Sequence, residues 1–147
     1  MLSQTEQEVL ETICGGSRAA LLDIRSLIGK VYDEELAHDL NRQAASYLQF
    51  REKAADRLLQ QGVVPQPMGI LERAKRWTAL QAGTVLNVST GHVADMILTE
   101  ENRRAKGMEA LLENKHSDGR FSCELAEEFL AFEKENVQVL QTYVNIC

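Results

Sequence analysis

Between Gln61 and Ile70 the chain reads GVVPQPMG, and this stretch limits the folds open to it more than any other. Two prolines so close together forbid a continuing helix. Each lacks a backbone donor, and each pushes the residue before it toward extended backbone. On both sides the sequence is dominated by Ala, Leu, Glu, Gln, Lys and Arg, the strong helix formers. The chain must therefore bring two helical halves together across a long, partly extended connection.

Each half reads as a pair of long amphipathic helices. Ser3 caps the first, with Glu6 three residues on as the partner of a capping box. Its apolar stripe is Val9, Ile13, Ala20, Ile24, Leu27 and Val31, stepping by threes and fours. Asp33 caps the second, with Glu34 and Glu35 in the electropositive first turn. That helix carries Leu36, Leu40, Ala44, Tyr47, Ala55 and Leu58 and stops at Gly62. After the break a short helix is expected over 70–83, and Ser89 or Thr90 opens a third long helix running to about Asn114. KHSDGR is a turn by composition. Ser122 is expected to cap the last helix, whose stripe is Leu125, Phe129, Phe132, Leu140, Tyr143 and Cys147.

Short loops make each pair an antiparallel hairpin. The middle connection, residues 62–88, is different. Its extended part spans about 26 Å and its short helix about 17 Å, together close to the roughly 40 Å length of a 27-residue helix. It can run the length of the bundle and deliver the third long helix parallel to the second. The expected fold is all-α, a four-helix bundle with one long crossover between helices 2 and 3, which is the ferritin-like arrangement.

The chain is expected to form a single helical-bundle domain over residues 1–147. A net charge of -6 disfavours nucleic acid and anionic membranes, which reward a basic surface. No apolar run approaches the roughly 20 residues of a membrane span, and MLSQTEQEVLETI lacks the basic start of a signal peptide. A cytoplasmic location follows as an expectation. Cys14, Cys123 and Cys147 form no CxxC and read as reduced structural thiols.

Glu35 and His38 have the Glu-x-x-His spacing of half a di-iron site. Yet they sit about 180° and 120° around the helix from Ala44, so both are expected to face solvent. The inward stripes carry other polar groups. Glu101 and Arg104 fall in the middle of the third helix's buried face, with Glu100 at its edge. Glu133 and Asn136 fall on the fourth, Arg51 on the second, and Ser17 beside Gly16 on the first.

This polar layer can be a metal site or a self-neutralised network. A di-iron or di-manganese site wants about four carboxylates and two histidines. Here Glu100, Glu101 and Glu133 are the candidate ligands, Asn136 stands where His is expected, and Arg51 and Arg104 bring two cations. The network reading is therefore preferred, with Arg104 paired to Glu100 or Glu101 and Arg51 to Glu133.

The stretches EVLETICGGSRAALLDI, LNRQAASYLQFREKAADRLLQQG and VADMILTEENRRAKGMEALLEN give the chain a resemblance to the ferritin-like superfamily. It is most similar to small bacterial rubrerythrin-related bundles of unknown function. Metal-binding members of that family imply a carboxylate on the first helix and Glu-x-x-His on the second and fourth. Only Glu100 or Glu101 and Glu133 match here, which implies a degenerate metal site.

No nucleophile–base pair, phosphate loop or nucleic-acid platform is present in the sequence, so it leans away from an enzyme. The expected function is association, as a homodimer, or binding of a small ligand or protein partner, with no cofactor. The alternative is an iron or manganese carboxylate protein with oxidase, peroxidase or storage activity. Trp77, with Arg73, Lys75 and Arg76, reads more readily as a pin holding the crossover to the bundle than as a binding anchor.

Overall fold

The computed structural model describes residues 2–114 and 119–144. The long helices are α1 (Gln4–Leu27), α2 (Glu34–Gln60), α4 (Thr90–Asn114) and α5 (Arg120–Val144), with the shorter α3 (Ile70–Thr84) between the pairs. A 3-10 turn, Ile28–Lys30, closes α1, and the described residues contain no strand. Residues 115–118 and Cys147 lie outside the described residues.

The start signals act as expected. Ser3 Oγ accepts from the Glu6 amide, Asp33 from that of Leu36, and Ser89 from that of His92. Gly62 takes φ +79°, the left-handed conformation that only glycine adopts cheaply, and the Val63 amide donates back to Leu58. Ser122 departs from its expected role. Helix α5 begins at Arg120, three residues earlier than a Ser122 cap would place it, and the Ser122 hydroxyl donates to the Gly119 carbonyl from inside the first turn.

Contacts at the helix ends fix the topology. Gly119, just before α5, lies against Glu6 of α1, and Arg57 near the end of α2 stacks over Phe121. At the other end Tyr143 of α5 donates to Asp39 of α2, and Gly91 of α4 approaches the Tyr143 carbonyl. So α1 runs parallel to α5, and α2 to α4. The crossover lies along α1 in rising register. Arg18 holds the Gln66 carbonyl, Asp23 meets Arg76, Gln81 meets the Ser26 carbonyl, and Lys30 meets Thr84.

Leu10, Ile13, Leu27, Leu36, Leu40, Leu58, Met108, Phe129 and Leu140 are buried in one core. Each such side chain contributes roughly 1.5–3 kcal/mol on leaving water. On α2 the buried line is Leu36, Leu40, Gln43, Tyr47, Ala54 and Leu58. Ala44 and Ala55 are only half-buried. The inward face is thus rotated from the expected one, and Arg51 lies at its margin with Ala44 and Ala55. Trp77 does not pin the crossover: it is 52% exposed, while Leu80 and Thr84 are the buried residues of α3.

Candidate functional site

Midway along the bundle the core turns polar. Its centre is the Tyr47 hydroxyl, brought in by α2 and bracketed by two carboxylates. Glu133 Oε2 lies at 2.7 Å and Glu101 Oε2 at 3.0 Å, and both glutamates are fully buried. Arg104, one turn after Glu101 on α4, donates through Nε to Glu133 Oε1 at 3.0 Å and reaches the Tyr47 hydroxyl at 3.4 Å. Its guanidinium lies 5.6 Å from the Tyr47 ring centre, a cation–π contact. Asn136, one turn beyond Glu133 on α5, donates to the same hydroxyl at 3.3 Å. Tyr47, Phe50, Phe129 and Phe132 pack edge to face or tilted around this group.

A phenol has one proton to give. The short contact to Glu133, which Arg104 holds as the charged partner, takes it. The 3.0 Å contact to Glu101 is then a hydrogen bond only if Glu101 supplies the proton, as a neutral acid. Burial acts in that direction, and the Glu133 charge adds to it, raising the Glu101 carboxyl to about 8. Burial alone would lower the Arg104 guanidinium, but Glu133 and Tyr47 outweigh it and keep it charged. Burial likewise raises the Tyr47 phenol well above its usual range, with the two glutamates adding to the shift. The centre thus reads as a chain: Glu101 acid to Tyr47, Tyr47 to Glu133 carboxylate, and Arg104 to the same carboxylate. One cation neutralises one anion.

A second ion-pair group adjoins it. Asp23 on α1 is buried and accepts two bonds from Arg76 of α3, at 2.5 and 2.6 Å. Arg104 Nη1 lies 3.9 Å from the same carboxylate. Glu100 stands at the margin, 3.5 Å from Arg76 and 3.2 Å from Arg103. Burial pushes the Asp23 and Glu133 carboxyls upward against the pull of their arginines.

Ser17, Glu101, Arg104, Glu133 and Asn136 are thus all inside, with Arg104 13% exposed at its side chain. Arg51 lies elsewhere, and the cation on Glu133 is Arg104. Arg104 pairs across helices rather than with Glu100 or Glu101 on its own. Glu35 and His38 are exposed. Cys14 is buried and Cys123 half-buried, both free thiols. Sequence reasoning missed Tyr47 as a polar group, and it missed Asp23 and Gln43. The signal for Asp23 was its place three residues after Ala20 and four before Leu27 on the buried face.

The donor set does not suit a dinuclear metal centre. Glu101 and Glu133 face Tyr47 and Asn136 where an imidazole and further carboxylates would be needed, and the Arg104 guanidinium already satisfies Glu133. Among the described residues no group of three or more His, Cys, Asp or Glu side chains is arranged to hold a metal ion. Nor is any helix long and apolar enough to cross a membrane.

No protein-family model matches the chain, and no curated protein matches it. Among solved structures it is similar to a dodecameric thioferritin, the bacterioferritin-related protein from Bacteroides fragilis. The TM-score is 0.75 at 16% identity, over 97% of this chain and 86% of that one. That likeness shows the fold, a ferritin-like helical bundle.

Proposed function

We propose that this chain is a ferritin-like bundle with a degenerate metal layer, acting by association or ligand binding and without a metal cofactor. One observation carries the reading: Arg104 lies between the Glu133 and Asp23 carboxylates, so the layer balances its own charge. A dication placed there would repel that guanidinium and meet no imidazole. The test is metal analysis of protein purified from iron- or manganese-supplemented cells. Less than a tenth of an equivalent is expected. A full equivalent that disappears in Glu133→Ala would establish the iron or manganese carboxylate reading, with its oxidase, peroxidase or storage chemistry. One feature favours that second reading: among the described residues Glu101 Oε1 is buried without a hydrogen-bond partner.

The associating face in this reading is the outer side of the crossover. Ile70, Leu71, Val85 and Leu86 are 71–97% exposed, and Trp77 lies half-exposed among them. Ile70, Ala74, Trp77 and Val85 are exposed and recur at helical spacing along one edge of α3 and its C-cap, flanked by Glu72, Arg73 and Lys75. An apolar centre with a charged rim is the anatomy of a protein interface. A second copy of this chain is the partner proposed, as a homodimer. The similar thioferritin, which is dodecameric, gives association between copies a precedent in this fold. Sedimentation of the wild type against Trp77→Glu tests it.

A further inference from the structure

On the outer side of the α1–α2 hairpin, where the extended crossover passes, a cleft of about 330 Å³ opens. Four arginines from three helices line it: Arg18 and Arg25 from α1, Arg51 from α2 and Arg73 from α3. Leu21 and Met68 are among its apolar lining. No carboxylate lines the cleft, and none of the four arginines has a salt bridge among the described residues. Glu11 lines an adjoining cleft that shares Arg18.

The chain has 22 acidic side chains and 16 Lys or Arg, so partners for these arginines were abundant. Four guanidinium groups gathered without one repel each other, and that arrangement favours an anion that bridges them. A second feature points the same way. Pro67 and Met68, in the wall of the cleft, lead into the start of α3, whose cap Gly69 offers no side-chain acceptor to the first amides. Those orphan N–H groups and the positive end of the helix add to the field of the arginines. Planar forked guanidinium groups match the oxygens of a phosphate.

We infer that this cleft binds a phosphate-bearing small molecule, its phosphate held by Arg18, Arg25, Arg51 and Arg73 and its apolar part lying on Leu21 and Met68. The size suits a small molecule, since ligand clefts run from about 300 Å³ upward. The inference stands apart from the metal-free reading of the core, because the cleft shares no residue with the Tyr47 layer.

Calorimetric titration of the full chain with inorganic phosphate and with phenyl phosphate, at matched ionic strength, tests it. Saturable binding is expected near one equivalent, with phenyl phosphate tighter than inorganic phosphate because of the apolar floor. Arg51→Gln and Arg73→Gln should each weaken it about tenfold or more, the scale of one charge-assisted contact. Arg120→Gln, on the remote start of α5, should leave it unchanged. Among the described residues Arg51 and Arg73 make no side-chain hydrogen bond, so their variants should fold, and circular dichroism checks this; Arg25→Gln serves as the replacement if one does not. No saturable heat, or equal losses in all variants including Arg120→Gln, would overturn the inference. So would binding to duplex DNA or anionic vesicles without binding to either soluble phosphate. Metal content is read separately, so failure here leaves the core reading intact, and the reverse holds too.

Discussion

Two buried glutamates, one arginine and one phenol settle their charges by sharing protons, and that has a pH signature. Glu101 titrates at about 8 in the fold against an ordinary 4.5. Between those values the folded chain holds a proton that the unfolded chain has released, so stability falls as pH rises through the window and levels off above it. The total is on the order of a few kcal/mol. Glu101→Gln removes the titrating group. Its melting temperature should match wild type near pH 5, exceed it near pH 9, and change less between them; parallel pH curves for the two proteins would count against a neutral Glu101. Arg104→Ala acts in the other direction. It leaves Glu133 buried without its cation, a loss of about 3–5 kcal/mol for a fully buried pair and less here because Arg104 is partly exposed. Denaturant melts should show a marked loss at pH 7 and partial recovery at acid pH, where Glu133 can protonate. A variant as stable as wild type at both pH values would mean the pair contributes nothing. At this scale the sequence was legible wherever a 100° step decides the face: Ser17, Glu101, Arg104, Glu133 and Asn136 all lie inside. Arg51 went wrong because the α2 stripe was centred on Ala44 and Ala55 rather than on Gln43, Tyr47 and Ala54. Tyr47 was read as an apolar stripe member because its ring is apolar, while its one polar atom organises the layer. Pairings between helices, such as Arg104 with Glu133, depend on axial register that helical periodicity does not encode.

Helix boundaries were the most legible feature, since caps and breakers act locally: Ser3, Asp33, Ser89, Gly62 and the two prolines stand where the chain starts or stops a helix. Ser122 misled because serine serves both as a cap and as a first-turn residue, and the Gly119 carbonyl captured its hydroxyl. The crossover was legible in length but not in attachment. A tryptophan is the obvious pin, yet Arg76 performs that role through Asp23, with Leu80 and Thr84 beneath it. Arg76→Ala leaves the buried Asp23 carboxylate with only Arg104 at 3.9 Å, so α3 should loosen from α1 while the four long helices stay paired. Global stability should fall by about 2–4 kcal/mol, somewhat below the full cost of breaking a buried pair because Arg76 is 26% exposed. Hydrogen exchange should quicken across 70–84 more than across α4 or α5. Replacing both partners, Asp23→Leu with Arg76→Leu, should recover most of the stability, because neither charge of that pair is then left buried without its partner. Uniform quickening over all helices would show instead that α3 is not a separable element.

For the molecule as a whole, the open quantity is what covers the outer face of α3. A stable interface buries about 800 Å² on each partner, around an apolar centre that excludes water. Ile70, Leu71, Trp77, Val85 and Leu86 offer such a centre, and Trp77 is the side chain most suited to anchor it. Placing a carboxylate there costs the interface twice: the indole is lost, and a charge must be stripped of water with no cation fixed opposite it. The isolated bundle should not notice, because among the described residues Trp77 makes no hydrogen bond and its side chain is half in solvent. Wild type is therefore expected to sediment well above its 16.5 kDa chain mass, with a melting temperature that rises with protein concentration. Trp77→Glu should sediment at chain mass, with unchanged helicity and a melting temperature independent of concentration. Leu71→Glu, at another exposed apolar position of α3, should behave alike, whereas Glu128→Lys on exposed α5 should assemble as wild type. If wild type sediments at 16.5 kDa at every concentration, the face does not serve self-association. If Trp77→Glu assembles undiminished, copies of the chain meet through some other surface.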